Sequence, residues 1–404
     1  MRVAWVSPMP PMPSGIADYS FELLPEFAGV ADVEVVCPRG GLRRRARAPR
    51  GIPMVSPEAF ERRAGEYDAI FYHLGNNPAH EFVYELAQRF PGVQVFHDFL
   101  LHHLIAHLMV EAGRQWRRYE GIFRDEHGEA GARLADLRWR GVADEFEKFA
   151  FPLNRHVARL ARAIVVHNLE SAERMEESAP GIPVTVVPHH AGSPPPAAAG
   201  ITREEARRRL HLPQDAFVVG QFGYVTRPKQ PAAVVGGFAA VSKLRDDALL
   251  AIVGADRTGG GLQRLIDRHY LQGKVRIAGY VDLDHFYLYL RAVDAVVNLR
   301  YPSAGESSGT AARALAEGRP LIVNNAGSFA ELPDDVALKV EIDGDQAEEV
   351  GRHLIRLVDD PPFRAALEAH ARAYAATVLD PARCRDLYLA AAAGQLPASP
   401  HTAA

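Results

Sequence analysis

The amino-acid sequence predicts an α/β protein made of two doubly wound parallel sheets. Its length of 404 residues is too great for one typical core, so two domains of about 200 residues are expected. Short apolar runs alternate with helical segments along the chain, which is typical of parallel strands joined by helices. A segment rich in proline and alanine, residues 193–200, has the composition of a linker between two such domains.

These observations divide the chain into three parts. Residues 1–192 are predicted to form a first Rossmann-like domain, and residues 193–380 a second one. Residues 381–404 are predicted to form a helix that packs back on the first domain and ends in a flexible tail.

The composition argues against several classes of protein. Hydrophobic residues make up 48% and charged residues 24%, and the net charge of −4 gives no general attraction to nucleic acid. The two cysteines, Cys37 and Cys384, supply neither a disulfide framework nor a CxxC metal site. The sequence shows no signal-peptide pattern and no apolar run of about 18 residues. We therefore expect a cytoplasmic protein, with contact to the inner face of the membrane as an option.

The first strand runs into a turn that predicts a binding loop. Residues 2–7 form an apolar run, a proline-rich turn follows, and Gly15 precedes a helix predicted over residues 18–27. Glycine at the carboxyl end of a strand permits close approach of a ligand, although a purely structural βα turn would look the same. The fingerprint G-x-G-x-x-G is absent, which argues against a nicotinamide cofactor. Gly15 and Asp18 are therefore candidates for ligand contact.

Polar clusters follow three strands of the first half. Further strands are predicted over residues 33–37, 68–73, 93–96, 163–167 and 184–187. The cluster Gly75–Asn77, with Asn76 and Asn77, follows one strand, His97–Asp98 follows another, and His167–Asn168 a third. Because the carboxyl ends of parallel strands share one edge of a sheet, these side chains are predicted to line a cleft.

The histidines of the first half also allow a metal site. The side chains with suitable ligand chemistry are His97, Asp98, His102, His103 and His107. Of these, His103 and His107 share one helical face at i, i+4 spacing. No flanking pattern such as H-E-x-x-H accompanies them, so we expect no metal.

Two other segments of the first half have two interpretations each. Residues 42–50 carry five arginines, which form either a solvated loop or a contact for an anionic partner such as lipid head groups. Residues 104–160 form a charged, mainly helical insertion. This insertion is either a wall of the ligand site or the crossover that covers the sheet.

The second half has the same architecture with a different sequence. Strands are predicted over residues 217–222, 249–253, 275–278, 294–299 and 321–324. The first of them ends at Gly223, with Arg227 and Lys229 close behind. Glycine and cations at this edge suit a phosphate, although a solvated loop would also contain them. Three residues after the third strand could offer backbone groups to a nucleobase: Gly279, Tyr280 and Val281.

The segment 301–331 carries the strongest functional signal. A helix is predicted over residues 311–317 between two apolar strands, with Ser307 and Ser308 as candidate N-cap residues. The start of a helix offers free backbone N–H groups and partial positive charge, so an anion is expected there. Glu306 stands beside this position, and a carboxylate is suited to hydroxyl groups. A sugar attached to a phosphate would supply both the anion and the hydroxyls.

This pattern resembles the two-domain glycosyltransferases of the GT-B fold. More closely, it is similar to the large retaining group within family four, group 1, that includes bacterial mannosyltransferases and sucrose synthases. The resemblance covers nearly the whole chain and rests on Gly15, His97-Asp98, Val187-Pro188-His189, Gly223 with Lys229, Gly279, and residues 302–320. The family pattern P-S-x-x-E-G-F-G-x-P-x-x-E-A-x-A-x-G-x-P is matched at Pro302, Ser303, Glu306, Gly309, Ala316, Gly318 and Pro320.

The resemblance implies two domains facing a cleft and a hexosyl transfer between them. The donor would be a nucleoside-diphosphate sugar, GDP- or UDP-linked, and the acceptor a saccharide, a lipid-linked molecule or a small molecule. Transfer would retain the anomeric configuration without metal or cofactor, in polysaccharide biosynthesis. The first domain would bind the acceptor, with Asp18, Asn76 and Asn77 as candidate contacts, and the second domain would bind the nucleotide sugar.

The resemblance also implies roles for single residues. His97 would lie beside the donor sugar and the reacting centre, with Asp98 orienting it, and Gly15 would let the substrates pass close to the first domain. Glu306 would contact hydroxyls of the donor sugar, and Lys229 would neutralise the leaving group. The diphosphate would be held by main-chain amides of four consecutive residues: Ser307, Ser308, Gly309 and Thr310.

Three departures from the family pattern concern the nucleotide. The glutamate that usually holds the ribose is replaced by Arg313 or Ala314, depending on which end of the motif is aligned. The interval from Glu306 to Gly318 is one residue shorter than usual. The arginine that usually follows the strand glycine is Tyr224, for which Arg227 is the candidate substitute.

Two alternative functions keep this fold. The missing ribose glutamate favours a nucleotide-sugar-binding scaffold protein that has lost its chemistry. A sugar-nucleotide epimerase would use a similar donor site for a different reaction. The presence of Glu306, Lys229 and His97 favours an active transferase over both.

Overall fold

The computed structural model consists of two compact units, each built on one parallel sheet. The structure describes residues 1–38, 46–113 and 115–395. Within these ranges, the first unit comprises residues up to His190, the short segment Ala304–Ser307 and the residues from Pro381 to Gln395. The second unit comprises Ala191–Ser303 and Ser308–Asp380. Residues 304–307 therefore belong to the first unit, although their neighbours in sequence belong to the second.

The described part of the first unit contains a seven-stranded sheet. Its strands are β1 (Arg2–Val6), β2 (Asp32–Val36), β3 (Met54–Val55), β4 (Ala69–Leu74), β5 (Val93–Phe96), β6 (Ala163–Val166) and β7 (Val184–Val186). Their order is β3-β2-β1-β4-β5-β6-β7, and neighbouring strands are parallel. The strand order reverses between β1 and β4, and the crevice at such a reversal is where doubly wound sheets bind ligands.

The second unit contains, within its described residues, a six-stranded sheet of the same kind. Its strands are β8 (Val218–Phe222), β9 (Leu249–Val253), β10 (Val275–Gly279), β11 (Ala295–Val297), β12 (Leu321–Asn324) and β13 (Ala337–Val340). Their order is β10-β9-β8-β11-β12-β13, again with parallel neighbours. The reversal of strand order lies between β8 and β11.

Helices connect the strands on both faces of each sheet. Those of the first unit are α1 (Gly15–Leu23), α2 (Pro57–Glu61), α3 (Glu81–Arg89), α4 (His102–Ala106), α5 (Trp116–Trp139), α6 (Glu147–Ala150), α7 (Arg155–Ala158) and α8 (Leu169–Ser178). Those of the second unit are α9 (Arg203–Arg209), α10 (Pro231–Leu244), α11 (Gly261–Arg268), α12 (Leu283–Ala292), α13 (Gly309–Ala316), α14 (Gln346–Asp359) and α15 (Pro361–Thr377). The last helix, α16 (Pro381–Ala392), returns to the first unit.

Short helical turns of other types complete the connections. Turns of 3-10 type are Leu24–Phe27, Ala64–Glu66, Pro78–His80, Arg227–Lys229 and Gly327–Phe329, and a π-helical turn covers His107–Glu111. The helix predicted to begin at Asp18 begins at Gly15 instead, because the Ser14 side chain accepts a hydrogen bond from the backbone N–H of Ile16 and caps it.

The hydrophobic core covers both faces of each sheet. Along β1, Val3 and Trp5 point into one cluster, while Ala4 and Val6 point into the other. The second sheet shows the same alternation, with Val218 and Val219 in different clusters. Strands buried on both faces read as continuous apolar runs, which explains why they were recognisable in the sequence. The predicted class, two Rossmann-like parallel-sheet domains, is confirmed.

The C-terminal helix α16 packs on the sheet of the first unit. Cys384 and Tyr388 belong to the same core cluster as Trp5. The Tyr388 hydroxyl lies 2.9 Å from the Tyr19 hydroxyl, and the Cys384 thiol donates to the carbonyl of Pro188 over 3.2 Å. Hydrogen bonding and apolar contact therefore both attach the end of the chain to the first unit.

Several predictions concern residues at the limits of the described ranges. Residues 42–45 of the arginine run 42–50 lie outside the described residues, and so do residues 396–404, where the flexible tail was predicted. In the described part of the run, residues 46–50, the Arg47 backbone N–H donates to the carbonyl of Pro10 over 2.8 Å. Within the described ranges, no helix has the length and apolar character that crossing a membrane requires.

Candidate active site

The carboxyl edge of the second sheet is lined by glycines. Gly223 follows β8, Gly254 follows β9, and Gly279 ends β10. Gly223 and Gly279 have φ angles of 84° and 70°, in the left-handed region that favours glycine. A Cβ on Gly254 would lie 2.0 Å from the Gly223 carbonyl oxygen, so no side chain fits there. The sequence analysis named Gly223 and Gly279 but missed Gly254, whose glycine is required by contact with a neighbouring strand.

Lys229 places its ammonium group at the end of β8. It lies in the 3-10 turn Arg227–Lys229, and its Nζ donates to the carbonyl of Phe222 over 2.7 Å. A Cβ on Gly223 would lie 2.4 Å from this Nζ, so the glycine makes room for the cation. Across the reversal of strand order, the Tyr301 backbone N–H donates to the Pro228 carbonyl over 2.8 Å. The cationic turn is thereby joined to the loop that follows β11.

The start of α13 is held on the end of β11. Ser308 is its N-cap, and its Oγ accepts a hydrogen bond from the Ala311 N–H over 3.2 Å, as predicted for this residue. The buried Asn298 side chain, directly after β11, donates to the same Oγ over 2.8 Å. The N–H groups of Gly309 and Thr310 lie in the first turn, before any intrahelical acceptor is available. An anion at this edge would meet these N–H groups and the positive end of the helix.

The helix α13 carries no acidic side chain toward its start. Arg313 is buried and its Nη1 donates to the Gly309 carbonyl over 3.2 Å, and Ala314 is fully buried. The nearest carboxylate along this helix is Glu317 at its C-terminal end. It pairs in bidentate fashion with Arg291, at 2.9 and 3.0 Å. Neither position aligned with the family's ribose glutamate therefore supplies a carboxylate. The next carboxylate in the sequence, Glu317, is paired with Arg291.

Arg257 is a cation of this edge that the sequence analysis missed. Its backbone N–H donates to the Val225 carbonyl over 2.9 Å, and its guanidinium lies over the Tyr224 ring, 5.4 Å from the centroid. The loop after β9 thus brings an arginine next to Tyr224, the residue that replaces the family's arginine. Arg227 and Tyr280 are exposed on neighbouring loops, and Val281 is half-buried.

In the first unit, the segment 304–307 is fixed against the loop after β5. The Ala304 carbonyl accepts a hydrogen bond from the Leu100 N–H over 3.0 Å, and the Ala304 N–H donates to Glu306 Oε2 over 2.6 Å. Gly305 has a φ angle of 80°, and a Cβ there would lie 2.4 Å from the Cβ of Phe99. Only glycine fits this position, and the resulting turn orients the Glu306 carboxylate.

The same segment is also bonded to the loop after β6 and the start of α8. The Gly305 carbonyl accepts hydrogen bonds from the Asn168 amide over 3.0 Å and from the Ser171 hydroxyl over 2.8 Å. The Ser307 hydroxyl donates to the His167 carbonyl over 3.1 Å. The sequence analysis placed His167 and Asn168 at the sheet edge but did not foresee these partners, which lie more than a hundred residues away in sequence.

His97 is the middle member of a chain of three buried imidazoles. His167 Nδ1 lies 2.8 Å from the Val187 carbonyl, so it must carry the proton and donate. His167 Nε2 then accepts from His97 Nδ1 over 3.0 Å, and His97 Nε2 accepts from His73 Nδ1 over 2.9 Å. This assignment leaves all three rings neutral and points every hydrogen bond from β4 toward β6. Both ring nitrogens of His97 are thereby engaged with other imidazoles.

Burial keeps these histidines uncharged. Removal from water lowers the pKa of His73 and of His97 well below the usual value, and each imidazole would also repel a charged neighbour. Burial lowers the pKa of His167 to about 4, and it lowers the pKa of the nearby His80 to about 4 as well. The cluster therefore stays neutral at physiological pH.

Asp98, Asn76 and Asn77 organise the loop between β4 and the 3-10 turn Pro78–His80. Asp98 Oδ2 accepts from the Asn76 backbone N–H over 2.8 Å. The Asn76 side chain accepts from the Leu104 N–H over 3.1 Å and donates to His103 Nδ1 over 2.8 Å. Asn77 caps the turn Pro78–His80 by accepting from Ala79 over 3.0 Å. These predicted acceptor-side residues thus lie together and shape the loop after β4.

Gly15 and Asp18 lie on the other side of the strand reversal. Gly15 is the exposed first residue of α1, and a Cβ there would meet no atom within 4 Å. Asp18 lies in the first turn of the same helix. Both residues therefore follow the carboxyl end of β1, which is one of the two strands at the reversal of strand order.

The histidines considered for a metal site go to separate partners. His102 Nε2 lies 2.7 Å from the Tyr119 hydroxyl, and His107 Nδ1 lies 3.2 Å from Glu111 Oε2. Among the described residues, no group of three or more histidine, cysteine, aspartate or glutamate side chains is arranged to hold a metal ion.

Known proteins resemble the second unit in sequence. Residues 202–374 match the family model "Glycosyl transferases group 1". Apart from Ala304–Ser307, the match lies within the second unit, which is therefore similar to group 1 glycosyl transferases. D-inositol 3-phosphate glycosyltransferase of Thermomonospora curvata is 30% identical over 185 residues, which are 43% of this chain and 42% of that protein. The protein of the same name from Salinispora arenicola is 32% identical over 196 residues, covering 45% of this chain and 42% of that protein. The chain thus spans less than half the length of these curated relatives.

Solved structures resemble the whole chain. Anabaena HepE in complex with UDP covers 98% of this chain and 100% of its own, with a TM-score of 0.64 and 15% identity. Sucrose-phosphate synthase of Thermosynechococcus elongatus covers 96% and 98%, with a TM-score of 0.64 and 16% identity. WaaG, a glycosyltransferase involved in lipopolysaccharide biosynthesis, covers 96% and 99%, with a TM-score of 0.61 and 16% identity. At these identities the likeness shows the fold, and the predicted GT-B class is confirmed.

Proposed function

We propose that the protein is a retaining glycosyltransferase that moves a hexosyl group from a nucleoside-diphosphate sugar to an acceptor. The observation that carries this proposal is the carboxyl edge of the second sheet. There a row of glycines, the Lys229 ammonium and the first turn of α13 flank the reversal of strand order. Such an edge suits a diphosphate, because it offers backbone N–H groups and a fixed cation with no side chain in the way.

Each donor-site residue receives a role in this proposal. Lys229, with Arg227 near it, neutralises the charge that develops on the departing nucleoside diphosphate. The Glu306 carboxylate, oriented by the turn at Gly305, accepts hydrogen bonds from hydroxyls of the donor sugar. The diphosphate is held by the main-chain amides of Ser307, Ser308, Gly309 and Thr310, and the base by the backbone of Gly279, Tyr280 and Val281.

The chemistry follows from where charge develops. Departure of the nucleoside diphosphate builds negative charge on the leaving oxygen, and preorganised amides with a cation stabilise it without reorganisation. The acceptor hydroxyl attacks from the face that the leaving group vacates, and the departing phosphate takes up its proton. This route retains the anomeric configuration and needs no metal and no covalent intermediate on the protein.

His97 and Asp98 act in this proposal by holding the edge of the first sheet in place. The two nitrogens of the His97 ring are engaged by His73 and His167, so this imidazole fixes the end of β5. In the proposal, the donor sugar and the reacting centre lie beside it. Asp98 fixes the Asn76 loop in the same way. Gly15 then lets the donor and the acceptor pass close to the first unit, and Asp18, Asn76 and Asn77 contact the acceptor.

The comparisons guide the choice of substrates. HepE was solved with UDP and glucose, so UDP-sugars are the first donors to test and GDP-sugars the second. WaaG is described as acting in lipopolysaccharide biosynthesis. We therefore propose a saccharide or lipid-linked acceptor in the synthesis of a polysaccharide or glycolipid.

Release of nucleoside diphosphate from a panel of UDP-, GDP-, ADP- and dTDP-sugars tests the proposal. We expect one nucleotide class to be turned over, with the α-configured product of an α-configured donor detected by NMR of the anomeric proton. Glu306→Gln should abolish most of the turnover, whereas Glu176→Gln, an exposed carboxylate on α8, serves as the matched control. Binding of a nucleotide without any product would indicate the scaffold function instead, and an isomerised free donor would indicate an epimerase.

A further inference from the structure

The first unit contains a cavity of about 390 Å³ beside the reversal of strand order in its sheet. Its walls come from the loop after β1, from the ends of the loop after β2, and from the turn and helix α3 that follow β4. β2, β1 and β4 are neighbours in the sheet. The cavity therefore lies at the carboxyl edge where a doubly wound sheet receives its ligand.

The described walls of this cavity are strongly apolar. Five prolines line it together with Met9, Met12 and Phe82. Met12 is 47% exposed, so its side chain is accessible to a ligand at this wall of the cavity. The Cys37 thiol also lines the cavity, and burial raises its pKa to about 11, so it remains a neutral and weakly polar group.

The charged groups among the described lining residues are two carboxylates. Glu81 and Glu85 lie one turn apart on α3, where both are exposed. Carboxylates at the mouth disfavour an anionic group and tolerate a neutral one. The described part of the wall thus combines an apolar interior with an acidic rim.

The size of the cavity limits what can enter it. An apolar cavity of about 150 Å³ holds one benzene ring, and ligand pockets begin at about 300 Å³. A volume of about 390 Å³ therefore accommodates two fused rings or a medium-length alkyl chain. The cavity is too small for a helix or a strand, and its volume matches one apolar substituent of a ligand.

We infer that this cavity binds an uncharged apolar aglycone, an aromatic or alkyl group that the acceptor carries next to its accepting sugar or hydroxyl. This inference rests on the proposed function, because it names the acceptor class of the same enzyme. The loops that form the cavity are continuous with the residues that frame the acceptor, since Met12 precedes Gly15 and Asn77 precedes the lining turn. An acceptor seated with its apolar part in the cavity would present its polar part to Gly15 and Asn77.

Probe binding to the full-length protein, without any donor, tests the cavity directly. The fluorescent probe N-phenyl-1-naphthylamine is uncharged, and its sulfonated relative 1-anilinonaphthalene-8-sulfonate has the same rings with one negative charge. We expect the uncharged probe to bind several-fold more tightly and to be displaced by octyl or phenyl glycosides but not by methyl glycosides. Equal or tighter binding of the sulfonate would overturn the assignment to an uncharged group.

Substitutions in the wall test the location. Met12→Glu places a charge in the cavity and Ala79→Trp fills it, and each should weaken probe binding roughly tenfold, about the effect of losing one buried apolar side chain. Leu160→Gln is the matched control, because Leu160 is also 47% exposed in the first unit but lies outside the cavity wall. Unchanged probe affinity in both wall variants would show that the probe binds elsewhere and would refute the inference.

Acceptor kinetics connect the cavity to the proposed reaction. With the active donor, the ratio of kcat/KM for an octyl glycoside to kcat/KM for the methyl glycoside should exceed ten and should fall toward one in Met12→Glu. A ratio near one in the unaltered protein would refute the inference while leaving glycosyl transfer intact. Failure of every donor to release nucleoside diphosphate would refute the proposed function, and the probe experiment would still decide whether the cavity binds apolar groups.

Discussion

The two sheets have the same strand order over six strands, but different groups line their carboxyl edges. In the second unit the edge consists of bare backbone at Gly223, Gly254 and Gly279, with the Lys229 ammonium beside it. In the first unit the corresponding edge is lined by side chains. They include a chain of buried imidazoles and the apolar wall of a cavity. This difference fits the proposed function. Backbone N–H groups are suited to a diphosphate, whereas side chains give a pocket the shape that selects an acceptor.

The largest expected effect concerns the cation of the second edge. Lys229→Met should lower donor turnover by roughly 100- to 1000-fold, the usual loss when one group that stabilises a developing anion is removed. Lys243→Met is the matched control, since Lys243 is an exposed lysine at the end of α10. Steady-state release of nucleoside diphosphate measures both variants. A Lys229→Met protein that keeps a tenth of the turnover would show that the leaving group is neutralised elsewhere.

The second prediction concerns Gly305 in the first unit. We expect this glycine to stabilise the fold, whereas the glycines of the second edge leave room for a ligand. Gly305→Ala should lower the free energy of unfolding by about 2–4 kcal/mol, because it adds a positive-φ strain and a clash with Phe99. Gly15→Ala is the control, because a Cβ at Gly15 meets open space. Chemical denaturation followed by tryptophan fluorescence is a suitable measurement, since Trp5, Trp116 and Trp139 all lie in the first unit. Equal stability of the two variants would contradict the described turn.

The contrast between these glycines also shows what the sequence could and could not predict. The strands Val93–Phe96, Leu249–Val253 and Leu321–Asn324 match their predicted bounds, because strands buried on both faces are continuous apolar runs. The strands β3 and β13 were missed. Both lie at sheet edges, and β3 has only two residues, which is too short for an apolar run to be recognised.

Within the candidate site, local features were predictable and long-range ones were not. Ser308 was named as a helix cap because capping depends on neighbours in sequence. The attachment of Gly305 to Asn168 and Ser171 joins residues more than a hundred positions apart, and no local pattern announces it. The same holds for the partners of His97, which the sequence analysis expected to be Asp98 and which are His73 and His167.

The third prediction concerns the pH dependence of the free energy of unfolding, which the buried histidines at the edge of the first sheet should determine. The unfolded chain takes up protons on histidine near the ordinary pKa of 6.5, whereas burial holds the pKa of His167 and of His80 near 4 in the folded state. Because the unfolded state binds more protons between these values, the free energy of unfolding of the first unit should fall as pH drops from 6.5 to 4. Each such histidine contributes up to about 1.4 kcal/mol per pH unit.

Denaturation at a series of pH values, followed by tryptophan fluorescence, measures this slope. His167→Gln should reduce the slope below pH 6.5 by up to about 1.4 kcal/mol per pH unit. His107→Gln provides the control, because His107 is only half-buried and lies outside the imidazole chain. An unchanged slope in His167→Gln would mean that this imidazole is charged in the folded protein or exposed to water.

The smallest expected effect concerns the ribose at the second edge. Neither Arg313 nor Ala314 supplies the carboxylate that would bind ribose hydroxyls, and the Glu317 carboxylate is paired with Arg291. Recognition at this edge should therefore rest on the diphosphate and the base, and removal of the 2′-hydroxyl should weaken nucleotide binding by less than about threefold, within 0.7 kcal/mol. Calorimetric titration with UDP and 2′-deoxy-UDP, or with the guanine pair, measures the difference. A loss of tenfold or more would show that another group of this edge binds the ribose, and Glu317→Gln would then test whether the paired carboxylate turns toward the nucleotide.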